Sequence, residues 1–256
     1  MEKKIVLLCD YGLDDAVATA FVLQKKKKNE SIDIIPIGGN SAVEVSHRNA
    51  HTLLANYDGD KNGIRIVDSR AVSQPYVEHP TIHGKDGLGD LFTPQKSDVE
   101  QITLEQFLSE TGEFILVSLG PCTITNMILQ RRGKDISLLL LMGGNISEKP
   151  NYNGYEFNHY LDIPAFNASV KYPHKIVTLD SCRVPYFNFA GKRTDERTLF
   201  EKLINRSISY AEARHKDNCY VYDFIAVYYL YYPNSFVIDL KKDNENNTLS
   251  VLRYID

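Results

Sequence analysis

Three aspartates lie within six residues near the start of the chain, at Asp10, Asp14 and Asp15. They follow the apolar run 5–9 and precede the apolar run 16–23, so they occupy a predicted turn between a strand and a helix. The helix N-terminus stabilises Asp14 and Asp15, but Asp10 is too distant to benefit. A hard cation with oxygen ligands, such as calcium or magnesium, would neutralise the cluster. A helix cap beside an ordinary loop aspartate is the alternative interpretation.

A second group of polar side chains lies at residues 151–158, which include Glu156 and Asn158 and are followed by Asp162. Carboxylate and amide groups at this density suit a ligand rich in hydroxyl groups. A polar loop that leads to a helix capped by Asp162 would give the same pattern. Both interpretations stay open on the residues alone.

Two further motifs carry ionisable side chains. Residues 82–90 contain His83 and three glycines within six residues, which indicates a mobile or tightly turned loop. Asp223 precedes the apolar helical pattern 224–231, where it is either a helix cap or a ligand.

Short apolar runs rich in Ile, Val and Leu alternate with helical patterns along most of the chain. Most runs are continuous rather than alternating, which is typical of strands that are buried on both faces. The pattern predicts an α/β fold with a mostly parallel, Rossmann-like central sheet flanked by helices. Strands are predicted at 4–9, 33–37, 64–67, 114–119, 137–142, 175–179 and near 249–254. Helices are predicted at 14–26, 43–57, 104–108, 124–131, 164–171, 196–214 and 224–231.

Four predicted strands end in polar or glycine-rich segments. In an open parallel sheet, ligands bind beyond the carboxyl ends of the strands. We therefore expect the four segments to meet at one crevice. They contain Asp10 and Asp15, Gly39 and Asn40, Gly120 and Thr123, and Gly143 and Gly144.

The composition excludes several classes of protein. Hydrophobic residues make up 43% and charged residues 24% of 256 residues, which is typical of a globular chain, and we expect one domain over 1–256. A net charge of -4 does not favour binding to nucleic acid or to an anionic membrane. Four widely spaced cysteines indicate neither a zinc site nor a disulfide scaffold, so we expect a reducing, cytoplasmic location. The longest apolar run, 136–142, is far shorter than the roughly 20 residues of a membrane span.

In this order, the motifs resemble the inosine-uridine-preferring nucleoside hydrolase family, and the resemblance extends from about residue 4 to residue 233. Seven matching segments in the order found in the family indicate the family more specifically than any single segment does. The matching segments are Asp10-Tyr11-Gly12-Leu13-Asp14-Asp15-Ala16, Gly39-Asn40 with Asn49, Leu53 and Leu54, His83-Gly84 with Gly87-Leu88-Gly89, Gly120-Pro121-Cys122-Thr123, Met142-Gly143-Gly144, Glu156-Phe157-Asn158 with Asp162 and Pro164, and Asp223.

The resemblance implies an enzyme that hydrolyses the N-glycosidic bond of a ribonucleoside with the help of one calcium ion. It also implies a small-molecule partner and a homodimer or homotetramer. The implied metal ligands are the carboxylates of Asp10, Asp15 and Asp223 and the backbone carbonyl of Thr123. The implied ribose ligands are Asp14, Asn40, Glu156 and Asn158. Asp10 would also take a proton from the attacking water as general base.

The chain departs from the family pattern at several positions. Leu8 and Pro150 stand where the family usually has an aspartate and an asparagine, and Tyr222 replaces a histidine that precedes the late aspartate. The ordinary pKa of tyrosine is near 10, so Tyr222 is a weaker acid for a departing base than histidine. We therefore predict that Tyr222 meets the leaving group as a donor, or that His83 or His215 replaces the acid if a loop carries either inward. Pyrimidine nucleosides, or a substrate that is activated elsewhere, are then favoured.

Two alternatives to this enzyme remain at the level of sequence. The departures suit a non-catalytic protein that binds ribose or a nucleoside and has kept the metal site. A magnesium-dependent phosphatase would use Asp10 as its nucleophile, but Gly12 stands where such enzymes usually have a second carboxylate. A ribose-release assay separates the hydrolase from the binding protein.

Overall fold

The computed structural model of the chain describes residues 3–255, and these residues contain one nine-stranded sheet. The spatial order of its strands is β4-β3-β2-β1-β5-β6-β7-β9-β8. Neighbouring strands are parallel except β8 and β9, which are antiparallel. The strands are β1 (Lys3–Cys9), β2 (Glu30–Pro36), β3 (Ile64–Asp68), β4 (Glu100–Thr103), β5 (Phe114–Ser118), β6 (Ile136–Met142), β7 (Lys175–Val177), β8 (Phe236–Lys242) and β9 (Thr248–Tyr254).

Ten α-helices lie within the described residues, together with short 3₁₀ turns. No helix between residues 3 and 255 is long and apolar enough to cross a membrane. The helices are α1 (Leu13–Lys25), α2 (Val43–Ala55), α3 (Pro80–His83), α4 (Leu104–Ser109), α5 (Thr123–Arg132), α6 (Phe157–Leu161), α7 (Ile163–Ser169), α8 (Leu179–Cys182), α9 (Leu199–Ala213) and α10 (Tyr222–Tyr231).

The sheet separates two hydrophobic cores. Side chains of α1, α2, α9 and α10 pack on one face, and those of α4, α5 and α7 pack on the other. Alternate residues of β1 enter the two cores, with Ile5 and Leu7 in one and Val6 and Leu8 in the other, and all four are fully buried. Burial on both faces explains the continuous apolar runs of the sequence. The predicted α/β class is confirmed.

Most predicted elements are present, with differences at some boundaries. The predicted strand 175–179 ends at Val177, because Leu179 already begins α8. Sequence patterns missed β4, which is only four residues long and lacks an apolar run. They also missed β8, an edge strand. The domain predicted over 1–256 includes residues 1–2 and 256, which lie outside the described residues.

Candidate functional site

Asp10 lies directly after β1 in a tightly fitted position. Its Oδ2 accepts a hydrogen bond from the backbone N–H of Asn40 (2.8 Å), and its Oδ1 accepts one from Asn40 Nδ2 (3.0 Å). A Cβ atom at Gly39 would overlap the Asp10 carboxylate, and one at Gly120 would lie 3.0 Å from Asp10 Cβ. The glycines after β2 and β5 therefore leave the space that this fully buried carboxylate occupies.

The carboxylate of Asp15 turns back over the segment that precedes α1. Asp15 Oδ1 accepts a hydrogen bond from the N–H of Asp10 (3.1 Å), and Asp15 Oδ2 accepts one from the N–H of Gly12 (3.0 Å). Between them, Tyr11 has a positive φ of 43°, a backbone conformation that is uncommon for a residue with a side chain. These contacts fix Asp10 and Asp15 relative to each other.

Three carboxylates meet at the start of α1 and α10. One oxygen each of Asp14, Asp15 and Asp223 lies within 4.8 Å of the others. Asp14 Oδ1 is buried and has no hydrogen-bond partner among the described residues. A buried polar atom without a partner is unfavourable, and an oxygen-ligated divalent cation would supply one. The donor set therefore fits a hard cation, with Asp15 and Asp223 common to this cluster and to the ligands implied by the sequence.

The carboxylates of this cluster and that of Asp10 have no compensating positive charge among the contacts of the described residues. Burial raises the pKa of Asp10 to about 6, although hydrogen bonding with Asp15 and hydrogen bonds from Asn40 oppose the change. Burial, reinforced by Asp10 and other neighbouring carboxylates, raises the pKa of Asp15 well above its ordinary value. Burial and the charges of Asp14 and Asp10 do the same for Asp223. Each added negative charge is thus unfavourable until a cation enters.

Glu156 and Asn158 lie beyond the neighbouring strand ends. Glu156 caps α6, and its Oε2 accepts hydrogen bonds from the N–H of Gly144 (2.9 Å) and of His159 (3.0 Å). Burial raises the pKa of Glu156 to about 7. Asn158 Nδ2 donates to the backbone oxygen of Leu119 (2.8 Å), so it ties α6 to the end of β5. The four strand ends therefore meet at one site, as the sequence predicts.

Thr123 is the first residue of α5, on the same side of the sheet. Its hydroxyl donates to Asp162 Oδ2 (2.6 Å), while Asp162 Oδ1 accepts a hydrogen bond from the N–H of Ala165 (3.1 Å). Asp162 therefore caps α7 and fixes the start of α5 at once. This contact involves the side chain of Thr123, so the role of its backbone carbonyl as a metal ligand stays a prediction.

His83 contacts the first turn of α1. Its Nδ1 accepts a hydrogen bond from the N–H of Leu13 (2.9 Å), which assigns the proton of a neutral ring to Nε2. Burial lowers the pKa of His83, so the ring is neutral at pH 7. A Cβ atom at Gly12 would lie 2.8 Å from His83 Nδ1, so the ring and the turn fit closely.

The glycine-rich loop that follows His83 is tightly turned. Asn49 Nδ2 donates to the backbone oxygen of Asp86 (2.7 Å). A Cβ atom at Gly87, whose φ is 84°, would lie 2.6 Å from the backbone oxygen of Tyr11. Of the two possibilities left by the sequence, these contacts support the tight turn.

Tyr222 opens α10 directly before Asp223. Burial raises its pKa to about 12, and the charges of Asp14 and Glu156 contribute to the increase. Tyr222 is therefore a neutral hydrogen-bond donor at pH 7 within electrostatic range of both the cation cluster and Glu156.

Two positioning residues escaped the sequence analysis. Ser46 Oγ donates to the backbone oxygen of Asp10 (2.9 Å) and links α2 to the site. The carboxylate of Asp180 accepts backbone hydrogen bonds from Ile146 (2.7 Å), Ser147 (2.8 Å) and Glu148 (2.9 Å), which shapes the loop after β6. A lone serine inside a helical pattern and a lone aspartate directly after a predicted strand give no signal that would reveal these contacts.

Comparison with known proteins identifies the family. The model of the inosine-uridine preferring nucleoside hydrolases matches residues 5–252. Probable uridine nucleosidase 2 of Arabidopsis thaliana is 29% identical over 166 residues, or 59% of this chain and 50% of that protein. The pyrimidine-specific ribonucleoside hydrolase RihA of Shewanella sp. (strain MR-7) is 25% identical over 180 residues, or 67% of this chain and 56% of that protein. The chain thus spans about half the length of the curated relatives it matches.

Solved structures share the fold. The purine-preferring ribonucleoside hydrolase from Gardnerella vaginalis superimposes with a TM-score of 0.76 at 19% identity, over 99% of this chain and 93% of that chain. The inosine-uridine preferring nucleoside hydrolase from Bacillus anthracis gives a TM-score of 0.68 at 16% identity, over 99% and 94% of the two chains. These likenesses show a shared fold, and the match of the family model over residues 5–252 shows the family. The chain belongs to the inosine-uridine preferring nucleoside hydrolases.

Proposed function

We propose that this chain hydrolyses the N-glycosidic bond of a ribonucleoside to give the free base and ribose. The observation that carries the proposal is a set of buried, uncompensated carboxylates at the carboxyl ends of the strands, beside Asn40, Glu156 and Asn158. The transition state of this reaction has oxocarbenium character. Preorganised negative groups around the sugar stabilise its developing positive charge.

Calcium is the cofactor that we propose for the site. Its holders would be Asp15 and Asp223, which form the three-carboxylate cluster with Asp14. The carboxylate of Asp10 and the carbonyl of Thr123 would complete the ligand set. Oxygen ligands without histidine or thiolate favour calcium over zinc. When bound, the ion lowers the pKa of water that it ligates.

Asp10 is the proposed general base. Asn40 holds its carboxylate through two hydrogen bonds, and an ionised carboxylate in this position can accept a proton from water. The oxygen of the attacking water bonds to C1′ of the ribose while its proton goes to Asp10. The bond between C1′ and the base nitrogen breaks, and its electron pair leaves with the base. Asp14, Asn40, Glu156 and Asn158 bind the ribose hydroxyls.

Tyr222 is the proposed hydrogen-bond donor to the departing base, and His83 Nε2 is the second donor. Neither supplies a readily released proton at pH 7, because burial raises the pKa of Tyr222 and, by lowering that of His83, keeps its ring neutral. Leaving groups that need little protonation are then the best substrates, and we infer a preference for pyrimidine nucleosides. Faster turnover of inosine than of uridine that persists in His83→Ala would contradict this preference.

A protein that binds ribose or a nucleoside without cleaving it is the second candidate. The observation that favours it is the same weak acidity of Tyr222 and His83. Calorimetric titration with ribose and uridine detects this function. Binding at saturating calcium without release of ribose from any ribonucleoside would replace the hydrolase by the binding protein.

The deciding experiment measures ribose release from uridine, cytidine and inosine at saturating calcium. The wild type should release ribose, and Asp10→Asn should be about 10²- to 10⁴-fold slower, because asparagine cannot accept the proton. Asp217→Asn is the matched control, since Asp217 is exposed. Equal rates for wild type and Asp10→Asn would remove Asp10 from the mechanism.

We also propose a reducing compartment. All four cysteines are buried and free. Such thiols are typical of proteins that are kept reduced.

A further inference from the structure

Two buried histidines lie one helical turn apart on α2. His47 and His51 occupy positions i and i+4, so their side chains share one face of the helix. They are 7% and 6% exposed, and the centres of their rings lie 5.0 Å apart. Two imidazoles on one tetrahedral cation, at metal–nitrogen distances of about 2.0–2.1 Å, have ring centres roughly 5.2 Å apart. The separation of the pair therefore matches that of two ligands of one transition cation.

His47 Nε2 is a buried nitrogen without a hydrogen-bond partner among the described residues. Both ring nitrogens of His51 have partners, because Nδ1 lies 2.9 Å from Ser97 Oγ and Nε2 lies 3.3 Å from Gln101 Oε1. A buried polar atom without a partner is unfavourable. Burial lowers the pKa of both histidines, so both rings are neutral at pH 7, the form in which imidazole binds a metal. A cation at His47 Nε2 would supply the missing partner.

Oxygen donors lie beside the same pair. Asp68 ends β3, Gln101 lies on the neighbouring strand β4, and both are close enough to affect the pKa of each histidine. Gln101 is exposed, so an ion can reach the pair from solvent. Two imidazoles and one carboxylate are a ligand set that zinc accepts, and the amide oxygen of Gln101 is available as the fourth donor.

Arg70 pairs with the carboxylate of this set. Its Nε and Nη2 donate to the two oxygens of Asp68 (2.9 Å and 2.6 Å), and its side chain is 42% exposed. A cation held by the histidines would compete with Arg70 for Asp68. The charge of Arg70 also lowers the pKa of both histidines, so it would oppose the binding of a second positive charge beside them.

We propose that His47, His51 and Asp68 bind a divalent transition cation such as zinc, with Gln101 as the fourth ligand. This site shares no ligand with the carboxylate cluster of the candidate active site. Imidazole nitrogens suit zinc, copper and nickel, whereas calcium prefers oxygen ligands, so the two sites select different ions. The inference does not depend on the proposed enzymatic activity.

The position of the histidine pair gives the ion a structural role. Ser46, the neighbour of His47 on α2, donates a hydrogen bond to the backbone oxygen of Asp10 (2.9 Å). A cation bound between α2, β3 and β4 would therefore fasten to the sheet the helix that supports Asp10.

Calorimetric titration of calcium-saturated protein with zinc chloride tests the proposal. The wild type should bind one zinc ion per chain. His47→Leu should raise the Kd by more than about tenfold, since even residues that only orient metal ligands change metal affinity by about 10- to 100-fold. The substitution removes no hydrogen bond of Nε2, and circular dichroism checks that the variant is folded.

Asp68 and Arg70 provide a second test, which chelation by histidine at the surface would not pass. Asp68→Asn should weaken zinc binding several-fold, and Arg70→Gln should strengthen it several-fold. His215→Ala is the matched control, because it removes an exposed histidine and should leave the Kd unchanged. A wild type that binds no zinc, an unchanged Kd in His47→Leu or in Asp68→Asn, or zinc that excess calcium displaces would overturn the proposal.

Discussion

The two ends of the same strands carry buried charge in opposite ways. At the amino ends, Lys4 on β1, Asp33 on β2, Arg65 on β3 and nearby Glu110 form a closed quartet. Lys4 Nζ lies 2.8 Å from both carboxylates, and Arg65 lies 2.8 Å from both as well. Two positive charges therefore compensate two negative ones.

This compensation is visible in the protonation equilibria. Hydrogen bonds from Arg65 and Lys4 overcome the effect of burial and lower the pKa of Glu110 to about 2. Hydrogen bonds to Asp33 and Glu110 raise the pKa of Arg65. A cavity of about 530 Å³ opens beside the quartet. Its charged walls already have partners, so the cavity requires no ligand for electrostatic reasons.

At the carboxyl ends, no cation plays the part of Lys4 and Arg65 among the contacts of the described residues. The pKa values of Asp15, Asp223 and Glu156 are raised. The comparison teaches that burial of charge does not by itself identify a functional site. Carboxylates that the fold leaves uncompensated do, because the missing partner must come from outside.

The largest expected effect is a difference between two matched substitutions. Asp33→Asn breaks the contacts of a nearly fully buried carboxylate with Lys4 and Arg65, so it should lower the free energy of unfolding by about 3–5 kcal/mol. Asp223→Asn removes a buried charge that has no positive partner. In metal-free protein it should leave that free energy unchanged or raise it. Urea unfolding with chelator present measures both.

The comparison would fail if Asp223→Asn were as destabilising as Asp33→Asn. It would also fail if Asp33→Asn lowered the rate of ribose release per folded molecule. The amino-end quartet should affect stability alone.

The two ends should also respond to pH with opposite sign. The pKa of Glu156 is raised from 4.5 to about 7, so its contribution to stability is present below pH 4.5 and is lost as the pH rises through 7, by on the order of 3 kcal/mol. The pKa of Glu110 is lowered to about 2, so its contribution is present above pH 4.5 and is lost as the pH falls toward 2. Unfolding of wild type, Glu156→Gln and Glu110→Gln across pH 3–8 isolates each contribution. If the free energy of unfolding changed with pH in the same way for all three proteins, the predicted opposite signs would be wrong.

Calcium should stabilise the protein by binding at the carboxyl ends of the strands. The quartet at the amino ends should not contribute to this stabilisation. At a free concentration of 100 times Kd, the ion should add about 2.7 kcal/mol to the unfolding free energy of the wild type. Differential scanning calorimetry with and without chelator measures the shift. Asp223→Asn should lose it and Asp33→Asn should keep it. An equal shift in both variants would place the ion elsewhere.

The smallest expected effect is the change in rate when the hydroxyl of Tyr222, a neutral hydrogen-bond donor at the site, is removed. Tyr222→Phe removes one hydroxyl group, whose hydrogen bond to the departing base is worth about 0.5–1.5 kcal/mol, or at most roughly tenfold in rate. Steady-state kinetics with uridine and inosine measures it. Tyr222→His should raise the rate with inosine more than the rate with uridine. If neither substitution changes either rate, Tyr222 does not contact the leaving group.

The sequence predicts the parallel part of the fold because fully buried strands are continuous apolar runs. The same criterion hides β8, in which exposed and half-buried positions alternate, as at Ile238 and Asp239. It also hides β4, whose residues pair only with β3. Elements at the edges of a sheet are defined by a neighbour rather than by their own composition.

The candidate site is predictable where a polar residue that could bind a ligand also follows a predicted strand. Asp10, Asn40 and Glu156 each follow a predicted strand, so topology alone brings them together. Asp180 is not predictable, because its role depends on a loop 33 residues earlier in the chain. The close fit of Gly39 against Asp10 is likewise a property of packing.

The turn between β8 and β9 reaches back to the segment that carries Glu156. Glu245 in this turn accepts hydrogen bonds from the hydroxyl of Tyr155 (2.8 Å) and from Asn167 Nδ2 (2.8 Å), and Tyr155 directly precedes Glu156. Because synthesis runs from the N-terminus, Asp10 and Asp15 emerge from the ribosome before Asp223 and Glu245 do. A nascent chain therefore lacks the last carboxylate of the cluster until residue 223 has been added, and it lacks the brace behind Glu156 until residue 245 has been added.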